Sequence, residues 1–217
     1  LAMAIKEAGG GMAPASVSRG LYCHRSPGTA SHVMAHLRSL AVLLELSGKS
    51  EEAARYRDAR RDMQEALNAE MWCEESGLYF SYNDEGRIDT AVASSLFPLY
   101  GAELDGPWVE CLLRSLTDPA LFGSPCPIPT LATRDERYQP DQYWRGSTWI
   151  PVNYLVARGL RDHGATEALE TLVWQTVALC TAGFDEYYDA SAAGPRAQGS
   201  PSCFTWSTLA ILCLDLL

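Results

Sequence analysis

Apolar residues recur at intervals of three and four along most of the chain, which is the spacing that places them on one face of a helix. The first pattern predicts a helix over residues 29–46, and Ser50, followed by Glu51 and Glu52, marks the start of a second helix over 50–71. Two helices of similar length joined by a tight turn form a helical hairpin. The same spacing predicts further helices at residues 90–99, 107–116, 148–163, 166–182 and 202–217.

The segments between these helices are of two kinds. A strand-like run at residues 78–82, followed by a turn-forming sequence at 83–86, predicts a small β-hairpin. Residues 117–146 and 184–201 are long and lack helical periodicity. Because structureless loops of that length are uncommon in compact domains and are usually functional, these two segments are the first places to look for a site.

The order of elements predicts an all-α fold in which helix pairs form a ring around a central pocket, with the long loops at one end. The chain has no βαβ alternation and no glycine-rich phosphate loop, which argues against a doubly wound nucleotide-binding fold. The irregular spacing argues against a short-period helical repeat. Residues 1–28, rich in Gly, Ser and Pro, are expected to be an irregular N-terminal segment, and residues 29–217 to form the helical domain.

The composition narrows the class of partner. The chain has 217 residues, 47% of them apolar, and a formal net charge of −10, so it can bury a core but would be repelled by polyanions. We therefore expect neither nucleic acid nor membrane as a partner, and no stretch approaches the ~20 apolar residues of a membrane span. The first residues lack the features of a signal peptide, which leads us to expect a cytoplasmic protein.

One candidate site is the segment 141–149, in which Tyr143, Trp144, Arg145 and Trp149 cluster just before a predicted helix. Aromatic faces stack on the apolar faces of sugar rings, and arginine donates paired hydrogen bonds to hydroxyls or carboxylates. The composition is equally compatible with a structural role, in which the two tryptophans anchor the core and Arg145 forms an ion pair.

A second candidate site is the segment 183–189, where Asp185, Glu186 and Asp189 surround two tyrosines directly after a helix. Glycoside hydrolysis requires a pair of carboxylates, and the base of an inverting enzyme must be ionised and close to an ordered water. The residues alone favour a simpler alternative, namely a solvated acidic loop.

Metal and cofactor chemistry have little support in the sequence. His32 and His36 lie four residues apart on one helix, but no third ligand is suggested, and the seven cysteines contain no CxxC pair. A GxSxG element for a serine hydrolase is also missing. We expect no metal and no cofactor.

Several blocks, taken in order, resemble glycoside hydrolase family 63, which includes processing α-glucosidase I and the bacterial mannosylglycerate hydrolases. The resemblance covers the chain from about Thr29 to its end, and the Tyr-Trp-Arg-Gly block is its most specific part. The matching blocks are residues 94–99 (SSLFPL), 121–131 (LFGSPCPIPTL), 143–155 (YWRGSTWIPVNYL), 186–189 (EYYD) and 199–207 (GSPSCFTWS).

The resemblance implies an (α/α)6 toroid and an inverting mechanism, with an aspartic acid as proton donor and a glutamate as base. The glutamate of the family's ENYD block falls on Glu186, and this match selects Glu186 over Asp185 and Asp189. Carbohydrate is the implied substrate, an α-glucoside or α-mannoside. The residues implied to bind substrate are Tyr143, Trp144, Arg145, Gly146, Trp149, Tyr187 and Trp206.

The resemblance also implies that part of the site is missing. The family's proton donor belongs to a "WDS"-like block upstream of the matched region, and this chain contains no such block. About seven of the twelve helices of such a toroid are predicted, and the chain begins with Leu1 rather than Met. We therefore expect the C-terminal part of the catalytic domain, with the N-terminal portion as its partner. The alternatives are a trehalase-like or debranching toroid glycosidase, and a non-catalytic carbohydrate-binding or scaffold module.

Overall fold

A computed structural model describes residues 16–18, 21–181, 183–191 and 197–217 of the chain. Its described part is mainly helical, which confirms the predicted fold class. The helices are α1 (Pro27–Leu46), α2 (Ser50–Met71), α3 (Pro98–Gly101), α4 (Gly106–Thr117), α5 (Ile150–Asp162), α6 (Thr166–Cys180) and α7 (Leu209–Leu214). Single 3-10 turns lie at Ala93–Leu96, Tyr143–Arg145 and Thr205–Thr208.

The helical hairpin of α1 and α2 has the start and stop signals that its sequence carries. The Ser26 hydroxyl accepts a hydrogen bond from the Gly28 amide at 3.1 Å, and Pro27 occupies the first helical position, where its missing N–H costs nothing. Gly48, with φ of 75°, turns the chain between the two helices. Further along, α5 packs against α3, α6 and α7.

The strands form three separate two-stranded antiparallel hairpins. Their pairs are β1 (Ser16–Ser18) with β2 (Leu21–Cys23), β3 (Trp72–Cys73) with β4 (Leu78–Tyr79), and β5 (Ser81–Asn83) with β6 (Gly86–Ile88). The predicted turn at 83–86 is confirmed. The predicted single strand at 78–82 is divided, because β4 pairs back to β3 while β5 pairs forward to β6.

The N-terminal segment differs from the expectation where the structure describes it. Residues 1–28 were expected to be irregular, whereas the described part of that segment holds the β1–β2 hairpin and the first residues of α1. Alternation of polar and apolar residues over three positions is too short to give a periodic signal, which is why the sequence did not reveal the hairpin. The remaining residues of that segment, 1–15 and 19–20, lie outside the described part.

Two predicted helices begin later than their sequence pattern indicates. The helix expected at 202–217 starts with a 3-10 turn at Thr205, because Ser202 forms a β-bridge with Asp185 and Cys203 has a φ of 58°. The helix expected at 90–99 is a 3-10 turn followed by the short α3. In both cases tertiary pairing of the preceding residues prevails over helical propensity.

A main hydrophobic core runs through the described helices and joins α1, α2, α5 and α6 through fully buried residues such as Met34, Val156 and Val173. A smaller cluster lies where α5, α6 and α7 meet the loop after α6. It contains Cys126, Ile150, Leu179, Tyr188, Ala190 and Ala210. Within the described ranges, no helix is both long enough and apolar enough to cross a membrane.

Candidate active site

A chain of isolated β-bridges ties the long loops together at one end of the helices. Four bridges link segments that are distant in sequence: Val92 with Leu131, Pro129 with Thr148, Thr148 with Tyr188, and Asp185 with Ser202. The segment at 148 leads into α5, and the segment at 202 leads towards α7. The two candidate segments found in the sequence, 141–149 and 183–189, are therefore neighbours in space.

The segment before α5 is shaped by a tight turn that requires glycine. Tyr143–Arg145 forms a 3-10 turn that ends at Gly146. A Cβ atom on Gly146 would lie 2.6 Å from the Gln139 carbonyl oxygen and 2.7 Å from the Tyr138 ring, so no side chain fits there. Tyr143 has a φ of 24°, a conformation that is uncommon for a residue with a side chain. The turn therefore holds Tyr143 in a strained backbone conformation.

Five aromatic rings form one cluster, which we call the aromatic platform: Tyr143, Trp144, Trp149, Tyr187 and Trp206. Trp149 lies at its centre. Its ring stacks on Trp144 with centroids 4.1 Å apart and planes 5° apart, and it contacts Tyr187 and Trp206 at 5.5 Å each. The Trp149 indole N–H donates to the Tyr143 carbonyl at 3.3 Å.

The members of the aromatic platform differ in exposure, and the difference separates two roles. Trp149 is 1% exposed, so its ring supports the cluster from within the core. This position matches the alternative in which the tryptophan anchors the core. Tyr143 and Trp206 are 42% and 38% exposed, and Trp144 is partly exposed. The outer surface of the platform is thus formed by Tyr143, Trp144 and Trp206, which could stack against a sugar ring.

Glu186 lies at the edge of this platform. Its amide donates to the Pro201 carbonyl at 2.9 Å, and its own carbonyl accepts from the Trp206 indole N–H at 3.3 Å. The Tyr143 hydroxyl lies 3.4 Å from Glu186 Oε1, a long hydrogen bond. The side chain is half-buried. One carboxylate oxygen is therefore directed at the platform.

The negative charge of Glu186 affects the pKa of its two tyrosine neighbours, Tyr143 and Tyr187. The pKa of Tyr143 is raised above its usual value, first by burial and then by the negative charge of Glu186. Burial, again followed by that charge, raises the pKa of Tyr187. Both shifts favour the neutral phenol, so Tyr143 remains a hydrogen-bond donor towards the carboxylate.

The two aspartates of the same loop have other surroundings. Asp185 is buried, with 3% exposure, and its backbone forms a β-bridge with Ser202. Asp189 Oδ1 accepts hydrogen bonds from the Ser191 amide at 2.8 Å and from the Ser191 hydroxyl at 2.7 Å, so it caps its own turn. Among the three carboxylates, Glu186 alone combines partial exposure with a contact to the aromatic platform, a placement that does not match a simple solvated acidic loop.

Arg145 closes the turn and is half-buried. Its amide donates to the Gln142 carbonyl at 2.6 Å, and its carbonyl accepts from the Gln139 amide at 2.9 Å, which ties the turn to the preceding loop.

Within the described ranges, no group of three or more His, Cys, Asp or Glu residues is arranged to hold a metal ion.

A concave space away from Glu186 also exists. A cavity of about 660 Å³ lies between the β5–β6 hairpin and residues 132–137, where Arg87, Asp89, Asp135 and Arg137 line it. Arg87 pairs with Asp89, and Arg137 pairs with Asp135 at 2.7 Å, so these charges neutralise one another within the cavity wall. None of the residues lining this cavity belongs to the aromatic platform. We place the candidate active site at Glu186, because there a carboxylate lies beside aromatic rings.

Residues 7–207 of the chain match the family model described as the mannosylglycerate hydrolase MGH1-like glycoside hydrolase domain. The chain belongs to the MGH1-like glycoside hydrolase family. This confirms the resemblance to glycoside hydrolase family 63. Among curated MGH1-like relatives, the mannosylglycerate hydrolase of Rubrobacter radiotolerans is 28% identical over 181 residues, which is 81% of this chain and 40% of that protein. Mannosylglycerate hydrolase from Thermus thermophilus is 31% identical over 63% of this chain and 33% of that protein.

Solved structures agree with this MGH1-like assignment. A glycoside hydrolase family 63 mannosylglycerate hydrolase from Thermus thermophilus, in complex with glucose, superimposes with a TM-score of 0.78 at 25% identity, over 88% of this chain and 45% of that one. Neutral trehalase Nth1 of Saccharomyces cerevisiae, at 18% identity and a TM-score of 0.69, shares the fold over 87% of this chain and 37% of that one. The chain spans less than half the length of these relatives. The toroid fold class is confirmed, and the helices described here form part of the ring.

Proposed function

We propose that this chain supplies the catalytic-base side of the active site of an inverting α-glycosidase, with Glu186 as the base. The observation that carries the proposal is the position of Glu186, whose Oε1 lies 3.4 Å from the Tyr143 hydroxyl at the edge of an aromatic platform. Membership of a glycoside hydrolase family supports the reaction class. The substrate class that we propose is an α-mannoside or α-glucoside, of which mannosylglycerate is the example that the relatives' names supply.

In the proposed reaction, water attacks the anomeric carbon while Glu186 takes its proton, and the bond to the leaving oxygen breaks. Tyr143 would hold Oε1, leaving Oε2 to accept the proton. Trp144 and Trp206 would stack on the sugar ring, and Trp149 and Tyr187 would support them from below. The leaving oxygen must receive a proton from a second carboxyl group, about 6.5–9.5 Å from the first in inverting enzymes.

We propose that the acid belongs to the rest of the ring. The chain spans less than half of its relatives, and its sequence contains no "WDS"-like block. A partner carrying the remaining helices would complete the ring and bring the acid opposite Glu186. On ordinary glycosides, the chain by itself would then lack the protonation step that releases the alcohol.

The missing acid suggests a substrate that tests Glu186 directly. In an α-glycosyl fluoride, the C–F bond breaks with fluoride leaving as a stable anion, and no proton is needed. Hydrolysis of such a substrate requires the base and the sugar-binding platform but not the acid. The chain as it stands is therefore expected to release fluoride from α-mannosyl fluoride or α-glucosyl fluoride faster than buffer does.

The decisive variant is Glu186→Gln, which keeps the size of the side chain and removes the base. We expect the rate of fluoride release, measured with a fluoride electrode, to fall by about 10²–10⁴-fold. The matched control is Asp189→Asn, which removes one carboxylate from the same loop while its amide oxygen can still accept from Ser191. We expect that control to retain most of the rate. Fluoride release that is unaffected by Glu186→Gln would contradict the proposal.

A trehalase-like activity is the second candidate, because human trehalase is 28% identical over 67% of this chain. The two candidates differ in the sugar. A trehalase-like site would accept only the glucosyl fluoride, whereas a mannosylglycerate hydrolase-like site would accept the mannosyl fluoride. A non-catalytic carbohydrate-binding module would release fluoride from neither substrate.

A further inference from the structure

Tyr188, two residues after Glu186, is fully buried. Its ring packs in the smaller core cluster with Ile150, Leu179 and Ala210, which belong to α5, α6 and α7. Three helices thus fix the ring of a residue in the loop that carries the proposed base. Because the ring is fixed, its hydroxyl has a defined position and can hold a turn of the backbone by hydrogen bonds.

The Tyr188 hydroxyl closes the loop upon itself. It donates to the Gly183 carbonyl at 2.8 Å and accepts from the Asp185 amide at 3.1 Å. The Cys180 sulfur at the end of α6 lies 3.5 Å from the same oxygen. The loop between the end of α6 and Tyr188 therefore bends around one phenolic oxygen, with Glu186 in the bend.

The backbone on either side of Glu186 is fixed as well. The amide and the carbonyl of Tyr188 exchange hydrogen bonds of 2.9 Å with Thr148, directly before α5. On the other side, the Glu186 amide donates to the Pro201 carbonyl at 2.9 Å, and the Tyr187 amide donates to the Ser200 hydroxyl at 3.1 Å. The hydroxyl of Tyr188 joins this arrangement to the first half of the loop, where Phe184 and Asp185 also form backbone contacts with residues 202–207.

We propose that Tyr188 is a positioning residue for Glu186: its hydroxyl fixes the loop so that the carboxylate stands at the edge of the aromatic platform. This inference rests on the proposed function. Tyr188 is buried and does not touch the sugar, so it acts through Glu186. Because a displacement of about 1 Å in a catalytic group can cost about a hundredfold in rate, losing this hydroxyl should affect the chemical step.

The test uses Tyr188→Phe, which removes one oxygen and keeps the buried ring. With an α-glycosyl fluoride as substrate, we expect kcat to fall about tenfold to a hundredfold while KM stays within about twofold, because the platform still binds the sugar. The matched control is Tyr79→Phe. Tyr79 is also fully buried, and its hydroxyl donates to Asn68 Oδ1 at 2.9 Å, far from the loop in sequence. We expect this control to keep the wild-type kcat.

Azide separates a displaced base from a loosened fold. Azide is already an anion and needs no deprotonation: it attacks the anomeric carbon as fluoride leaves with the electron pair of the C–F bond, giving the glycosyl azide. We expect azide to raise the rate of fluoride release in Glu186→Gln and in Tyr188→Phe, but not in Tyr79→Phe.

The two proposals fail in different ways. Wild-type fluoride release that does not depend on Glu186 defeats the proposed function. If that release depends on Glu186 but Tyr188→Phe keeps its kcat, or loses kcat without rescue by azide, the positioning role is wrong. Should circular dichroism show that Tyr188→Phe is unfolded, Ser200→Ala decides, since it loosens the same bend from the opposite side. A lower kcat with unchanged KM and azide rescue supports the role, and an unchanged kcat overturns it.

Discussion

At the scale of single residues, the site depends on how one carboxylate and one phenol share a small space. Tyr143 is 42% exposed, yet its backbone has an uncommon φ of 24° and its hydroxyl faces Glu186 Oε1. Strain of this kind persists only where the surroundings hold it, and here Gly146 and the Trp149 indole do so. The pairing keeps a donor next to the proposed base without neutralising it by a positive charge.

The pairing predicts a change in the titration of Tyr143. The negative charge of Glu186 helps to raise the pKa of Tyr143, so Glu186→Gln should lower that pKa towards its usual value. The measurement is the difference in absorbance at alkaline pH between the variant and the wild type, with Tyr143→Phe to assign the signal. Glu167→Gln, a surface carboxylate in the first turn of α6, is the matched control and should leave the titration unchanged.

The same shift has a consequence for stability at high pH. A raised pKa in the folded state means that the native protein keeps its phenolic proton longer than the unfolded chain. The resulting stabilisation is complete below the ordinary pKa of 10 and is lost as the pH rises through the folded value. A Tyr143 pKa that is identical in wild type and Glu186→Gln would show that the carboxylate does not face the phenol.

At the scale of elements, the site is built from turns and bridges rather than from helices. The 3-10 turn Tyr143–Arg145, the bridge at Thr148 and the bend at Glu186 lie side by side, and each is fixed by contacts to a segment far away in sequence. Helices α5 and α6 provide the rigid base on which these turns rest. The geometry of the turns should therefore be sensitive to small steric changes.

Gly146→Ala tests that sensitivity. An added Cβ would overlap the Gln139 carbonyl and the Tyr138 ring, so we expect a loss of stability of about 1–3 kcal/mol, together with loss of the stacked geometry at Trp144. The matched control is Gly106→Ala at the start of α4, where a Cβ would meet nothing within 4 Å. The measurement is urea unfolding followed by tryptophan fluorescence. Equal midpoints for the two variants would mean that the turn is not tightly packed.

The helices of this chain follow local sequence patterns, whereas the β-bridges depend on contacts between distant residues. Local periodicity located the helix pairs, and the ordered blocks located the two segments of the site. Periodicity placed residues 148–149 and 202–204 in helices, whereas the structure has Thr148 and Ser202 in β-bridges. The partners of those bridges lie 40 or 17 residues away along the chain, at Tyr188 and Asp185, and a pattern of neighbouring residues contains no information about them.

The site itself was predictable only in part, for a similar reason. The resemblance to a family selected Glu186 and the aromatic residues around it, and the structure brings most of them together. Tyr188, Ser200 and Thr148 were not singled out as holding the loop in place, because a buried tyrosine hydroxyl and a serine acceptor look ordinary in sequence. Trp149 was grouped with substrate-binding residues, while its 1% exposure gives it a supporting position.

At the scale of the whole molecule, exposed apolar side chains lie on the first and the last of the described helices. On α1, Leu43 and Leu46 are exposed, and on α7, Ile211 and Leu214 are exposed. An apolar groove of about 200 Å³ between α6 and α7 continues the second surface. In the proposed ring, further helices would cover these side chains.

In the proposed reaction, Glu186 activates water on one face of an α-linked sugar while the leaving group departs from the other. The most direct measurement is proton NMR of the first sugar released from an α-glycosyl fluoride, recorded before the anomers equilibrate. We expect the first sugar released to be the β-anomer. We also expect Glu186→Gln to lower the rate of its release by about 10²–10⁴-fold. Release of the α-anomer, or of the β-anomer at a rate independent of Glu186, would contradict it.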